Sequence, residues 1–143
     1  MKELLHKMRS DFEEVLKTKI HHKPPETLYS PINYIMANGG KRIRALLTLL
    51  GFYGYRDDYP EAMNLAYAIE LFHNFTLMHD DIMDAAPLRR GKPSVHENFD
   101  TNAAILSGDV MTFYVIKELA QSDPSQVNYI ITRFSDEAIT VCE

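Results

Sequence analysis

Residues 61–90 read EAMNLAYAIELFHNFTLMHDDIMDAAPLRR, and this stretch decides the fold. It starts as a nearly all-round apolar segment and ends in clustered carboxylates, with no proline before Pro87. The spacing predicts a helix over 61–84, about 36 Å long at ~1.5 Å rise per residue. A helix that long and apolar on every side belongs inside a protein. Its end nevertheless carries Asp80, Asp81 and Asp84, where isolated burial of charge is costly or forces protonation. Something positive must meet them.

At about 100° per residue, His73, Asp80 and Asp84 fall on one stripe of this helix together with Ala66, and Asp81 lies a quarter-turn away. The Asp80-Asp81-x-x-Asp84 spacing therefore makes a carboxylate claw at one helix end. Carboxylate oxygens suit hard cations, and Mg²⁺ is usually held by one or two of them plus waters and substrate phosphates. A solvated acidic helix end would carry the same letters, so the claw needs support from its neighbours.

Composition narrows the class. The chain has 143 residues, 45% of them apolar, enough for a single domain over 1–143 with a real core. A net charge of −5 argues against a nucleic-acid binder. The single cysteine, Cys142, excludes an internal disulfide and fits a reducing, cytoplasmic setting. The opening MKELLHKMRSDFEEV lacks the apolar run of a signal peptide, and no window approaches a membrane span, the richest being interrupted by Asn64, Glu70 and His73. Six glycines, seven prolines and no alternating strand pattern point to an all-α chain.

Working outward, Leu5, Met8, Phe12, Val15, Leu16 and Ile20 recur at helical spacing and predict a first amphipathic helix to about residue 20. His21 and His22 precede Pro24-Pro25 and read as solvated rather than metal-binding. A short helix is expected over 31–37, closed by Asn38-Gly39-Gly40, and Lys41-Arg42-Ile43-Arg44 opens the next. Cations at a helix start after two glycines make an anion site, since backbone N–H groups, the helix dipole and side-chain charge converge there. Lys41 and Arg44 share a face, and Arg42 points elsewhere. A glycine cap followed by surface basic residues is the plainer reading.

Beyond Pro87, residues 88–94 read as a loop whose adjacent Arg89 and Arg90 can serve different anions, because guanidinium forks grip phosphate oxygens bidentately. Asp100 or Thr101 caps a helix to about residue 120. Within it Gly108 marks close helix packing, and Asp109 is a buried-looking charge with a structural hydrogen bond. A last helix presents Val127, Ile130, Ile131, Phe134, Ala138 and Val141 on one face as core or interface.

The segments GGKRIR (39–44), ELFHNFTLMHDDIMD (70–84), LRRGKPSVH (88–96) and NAAILSGD (102–109) together closely resemble the trans-polyprenyl diphosphate synthases, which elongate isoprenoid chains. The resemblance implies an antiparallel helical bundle of the isoprenoid synthase type and an enzyme condensing isopentenyl diphosphate with an allylic prenyl diphosphate. It implies that Asp80, Asp81 and Asp84 bind the allylic diphosphate through Mg²⁺ and that Arg89 contacts it. Lys41, Arg44, His73 and Arg90 would hold isopentenyl diphosphate, with Arg42 as a nearby basic residue. Phe75, five residues before Asp80 and about 7.5 Å further along the axis, would floor the tail pocket with Thr76 beside it, favouring C15–C20 products. Phe75 as plain core filler reads equally well.

The family also implies a homodimer and a second aspartate-rich motif further along. No such motif lies within these residues, so the bundle is expected to be incomplete at its C-terminal side. Ala45 stands where the family often has proline, and Ala85-Ala86-Pro87 where it is often more acidic. Three rivals remain: an HD-type phosphohydrolase through His79-Asp80, a terpene cyclase, and a non-catalytic subunit of a synthase. The first leaves GGKRIR and LRRGK unexplained, and the second lacks a basic site for another diphosphate.

Overall fold

A computed structural model describes residues 1–19 and 22–143. Seven helices occur among them: α1 (Lys2–Thr18), α2 (Glu26–Ala37), α3 (Ile43–Arg56), α4 (Met63–Met83), α5 (Val95–Asn98), α6 (Thr101–Leu119) and α7 (Val127–Cys142). The long apolar stretch is indeed the central helix. α4 buries Ala66, Tyr67, Ala68, Leu71 and Met78, and its most extensive partner is α6, followed by α3. The result is an all-α bundle, as its periodicities require.

Small residues let α4 and α6 close on one another. Ala104, Ser107 and Gly108 are buried on α6, and a Cβ at Gly108 would lie 2.3 Å from His79 Nε2 of α4. The expected close packing at Gly108 is therefore real, and its partner is an imidazole. Asp100 caps α6, its carboxylate accepting from Ala103 N at 2.8 Å, which satisfies an otherwise orphan donor. On α1, Met8 and Phe12 are fully buried and face the same core.

Several expectations shift. α1 ends at Thr18, and the expected roles of Ile20 and His21 lie outside the described residues. α2 starts at Glu26 rather than 31, carrying Pro31 internally at the loss of one helical hydrogen bond. α4 begins at Met63 behind a 3-10 turn over Pro60–Ala62. α3 begins at Ile43 rather than Lys41, because Arg42 adopts the left-handed conformation (φ 52°) that ends helical geometry.

The segment read as a loop is a minimal hairpin, β1 (Leu88–Arg89) paired antiparallel with β2 (Lys92–Pro93). Its turn residues Arg90 and Gly91 have φ of 53° and 78°, the two positive values that a tight I′ hairpin turn demands. Asp109 is exposed, not buried, because it lies on the side of α6 away from Ser107 and Gly108. The apolar face of α7 is only half-covered: Ile130, Ile131 and Phe134 are half-buried, whereas Val141 is exposed.

Candidate functional site

The basic side of the site is built where the 39–44 segment crosses α4. A cavity of about 150 Å³ is lined by Lys41, Arg42, Ile43, Arg44, Glu70, His73 and Arg90. Lys41, Arg44 and Arg90 are exposed at it, and Arg44 Nη1 lies 3.2 Å from His73 Nε2. An arginine only donates, so Nε2 accepts and His73 is neutral there. Burial pushes the His73 imidazole below its ordinary 6.5 and the charge of Arg44 adds to it; Glu70 pulls the other way, and Arg90 and Arg89 lower it slightly further.

The loop entering α3 is held open by its glycines. Gly40 has φ of 145°, and a Cβ there would sit 2.9 Å from Arg90 Nη1. Arg90 Nη1 donates to the Gly39 carbonyl, and Arg9 Nη2 donates to the Gly40 carbonyl at 3.1 Å. Side chains would block this approach. α3 carries no side-chain cap, and Arg44 sits in its first turn at the positive end of the dipole, where a cation is unfavourable by about 0.3–1 kcal/mol unless an anion joins it.

Arg42 departs from the other cations. It is 4% exposed and turned inward, donating from Nη1 to Glu70 Oε1 at 2.9 Å, from Nε to Glu13 Oε1 at 3.1 Å and from Nη2 to the Met36 carbonyl at 2.9 Å. Its guanidinium is committed to the protein.

The acidic side divides the three aspartates. Asp80 and Asp84 are exposed one helical turn apart, whereas Asp81 is 1% exposed. Asp81 accepts both Arg89 Nε at 2.7 Å and Arg89 Nη2 at 2.6 Å, a fork that ties the hairpin to the end of α4. These bonds hold the Arg89 guanidinium above its ordinary range, and the charges of Asp80 and Asp84 add to the effect. The hairpin thus spans the two halves, Arg89 binding Asp81 at the acidic end while the adjacent Arg90 lines the basic cavity.

Asp80 and Asp84 do not line the basic cavity itself; on the same stripe they lie about two and three turns beyond His73, Asp84 capping the end of α4. Among the described residues no three His, Cys, Asp or Glu side chains converge as a metal cage. Two exposed carboxylates one turn apart fit Mg²⁺, which takes its remaining oxygens from water and phosphate rather than from a closed protein cage.

Phe75 and Thr76 lie further back on α4. Phe75 packs between Phe72 (ring centroids 5.8 Å) and His79 (4.8 Å), and Phe72 meets Phe134 of α7 at 5.1 Å. Thr76 Oγ1 donates to the His73 carbonyl at 2.9 Å. His79 Nε2 lies 3.2 Å from the Ile105 carbonyl, facing α6 rather than Asp80 and Asp84, which leaves the His-Asp pair of the phosphohydrolase reading divided. Sequence reasoning passed over Glu13 and Glu70. A glutamate inside an apolar helix three residues before His73 was the available signal.

Residues 25–143 match the polyprenyl synthetase family. The chain is 38% identical over 133 residues to the geranylgeranyl pyrophosphate synthase of Geoglobus acetivorans, covering 92% of this chain and 40% of that protein. It is 36% identical over 132 residues to the short chain isoprenyl diphosphate synthase of Methanocaldococcus jannaschii, again covering 40% of that protein. Among solved structures, a geranylgeranyl pyrophosphate synthase superposes with a TM-score of 0.93 at 46% identity over 96% of this chain and 42% of its own. The geranylgeranyl pyrophosphate synthetase of Pyrococcus horikoshii gives 0.89 at 32% identity, covering 99% of this chain and 45% of that one. The chain therefore spans about 40% of the length of these curated relatives. The family match spans residues 25–143, a range that includes the aspartates at the end of the central helix and the glycine-lysine-arginine entry to α3, and the chain belongs to the polyprenyl synthetase family.

Proposed function

We propose that this chain binds isopentenyl diphosphate and an allylic prenyl diphosphate for their Mg²⁺-dependent head-to-tail condensation into a longer all-trans prenyl diphosphate. The observation that supports it is the pairing of an exposed Asp80/Asp84 end with a cationic cavity of Lys41, Arg44, His73 and Arg90, joined by the hairpin that carries Arg89 and Arg90. Carboxylates alone would repel a diphosphate, and cations alone would need no carboxylates beside them.

In this reading Asp80 and Asp84 hold Mg²⁺, and Asp81 contributes by orienting Arg89. When bound, the metal supplies Lewis-acid polarisation of the departing allylic diphosphate. Arg89 spends Nε and Nη2 on Asp81, so Nη1 remains for an allylic diphosphate oxygen. Its fixed charge meets the negative charge that grows as the C–O bond breaks. Lys41, Arg44 and Arg90 hold the isopentenyl diphosphate, and neutral His73 keeps Arg44 aimed at it. The isopentenyl double bond then attacks the allylic carbon, and loss of a proton completes the product. No protein nucleophile is required. Phe75, braced by Phe72 and His79, limits the tail to about C15–C20.

The proposal includes a homodimer, supported by Leu106 (57% exposed) and Phe113 (75% exposed) on α6. It also includes a cytoplasmic setting, supported by the single unpaired Cys142. Among the described residues no helix is long and apolar enough to cross a membrane.

Incubation with Mg²⁺, isopentenyl diphosphate and a labelled allylic diphosphate tests the reading. Elongated prenyl diphosphates support it, while phosphate release or cyclic hydrocarbons replace it with a rival. Tight binding of both diphosphates without product marks the chain as a binding segment of a synthase. Absence of binding to either refutes the site.

A further inference from the structure

Arg42 stands in the middle of the cationic segment and at the wall of the cavity, yet it is 4% exposed and Nε, Nη1 and Nη2 each donate to a protein acceptor. It holds a left-handed backbone (φ 52°), which for a residue with a side chain costs on the order of 1 kcal/mol or more and persists only when the surroundings over-determine it. Three elements do so: Glu13 from α1, the Met36 carbonyl near the end of α2, and Glu70 from α4. Glu70 is itself buried and tied down, since Asn74 Nδ2 donates to its main-chain carbonyl at 2.8 Å and approaches its Oε1 at 3.4 Å.

We infer that the buried Glu70–Arg42 pair is a positioning device that sets Lys41 and Arg44 at the spacing a diphosphate needs, neither member of the pair being a ligand. Lys41 precedes Arg42 directly and Arg44 follows two residues later, so pinning Arg42 inward fixes both exposed cations outward. Glu70 and His73 are three residues apart and neighbours on one side of α4. One turn of that helix thus grips Arg42 from within, through Glu70, and Arg44 from without, through His73 Nε2. Glu70 also offsets the charge of Arg42, leaving Lys41, Arg44 and Arg90 as the open cations of the cavity. This role rests on reading that cavity as a diphosphate site.

The sign of one substitution separates positioning from simple charge. Glu70 is a negative group lining an anion cavity, so by Coulomb's law alone Glu70→Gln should tighten anion binding. Positioning demands the reverse. Titration calorimetry of inorganic pyrophosphate, without Mg²⁺, into the 143-residue chain compares wild type, Glu70→Gln, Glu70→Asp and Arg44→Gln, with folding checked by circular dichroism. The expected result is a Kd about tenfold higher in Glu70→Gln, the size of one lost charge-assisted hydrogen bond. Glu70→Asp, which keeps the charge but shortens the reach, should weaken binding too, and it carries the test where Glu70→Gln does not fold. Unchanged or tighter binding in the folded variant overturns the inference.

A measurement on the wild type needs no variant. On adding pyrophosphate, the side-chain NMR signals of Lys41 and Arg44 should shift while the Nε–H of Arg42 stays put. An Arg42 signal moving as far as that of Arg44 makes it a ligand and overturns the inference. Wild type that binds no pyrophosphate sinks the diphosphate reading and this role together. Wild-type binding that Arg44→Gln weakens and Glu70→Gln does not sinks the positioning role alone.

Discussion

Asp80 and Asp81 are adjacent and chemically identical, yet the structure gives opposite expectations for removing their charge. Asp81→Asn leaves the Arg89 fork with one acceptor instead of two charged ones, at a carboxylate position that is 1% exposed. Breaking a fully buried ion pair from one side costs about 3–5 kcal/mol. The Arg89 side chain is 28% exposed, so water can re-solvate part of the guanidinium, and asparagine keeps one hydrogen bond. Together these reduce the expected loss to about 2 kcal/mol. For a chain of this size that is a Tm lower by roughly 4–8 °C, or a urea midpoint lower by about 1 M. Asp80→Asn, at an exposed carboxylate, should stay within about 0.5 kcal/mol of wild type. Urea unfolding of both variants followed by circular dichroism makes the comparison. Equal stabilities of the two variants would refute the assignment of Asp81 as the tether of the hairpin.

Further consequences can be measured separately. The His73 imidazole should titrate by NMR below its ordinary 6.5, moving part of the way back in Arg44→Ala because burial, the larger cause, remains. Since the folded state binds that proton less readily than the unfolded state, the His73 contribution to stability is fully present above about pH 6.5 and is lost as pH falls from there through the folded value. A His73 contribution that grows on acidification contradicts the shift. Gly108→Ala places a methyl 2.3 Å from His79 Nε2, so overpacking of about 1–3 kcal/mol should outweigh the ~1 kcal/mol gain in helix propensity, and calorimetric melting should show a lower Tm that His79→Ala partly restores. In an active synthase containing this chain, Phe75→Ala should lengthen the products by one or more prenyl units on chromatography, because it removes the ring that packs against Phe72 and His79.

The elements were largely legible because their signals are local. The run from 61 to 84 could bury its apolar surface only as a central helix, and Asp100 or Thr101 had to cap the helix beyond it, a choice the structure gives to Asp100. Gly108 could be read as a packing glycine, though not that His79 fills the space. Where reading failed, the outcome depended on contacts distant in sequence. Asp109 was read as buried because apolar residues surround it in sequence, and α6 turns it outward. Residues 88–94 carry no strand periodicity, and the hairpin forms because Arg90 accepts a positive φ while Arg89 is caught by Asp81.

By itself the order of residues determined which chemistry was present: carboxylates at helical spacing, glycines ahead of cations, and an arginine pair just past them. Only the folded chain decided which charges face outward. Asp81 and Arg42 sit beside like-charged neighbours in the sequence, and each is withdrawn into the protein by opposite charge from other segments, Arg89 for the first and Glu13 with Glu70 for the second. Burying a charge is favourable only where a partner is already in place, and tertiary packing alone supplies that partner.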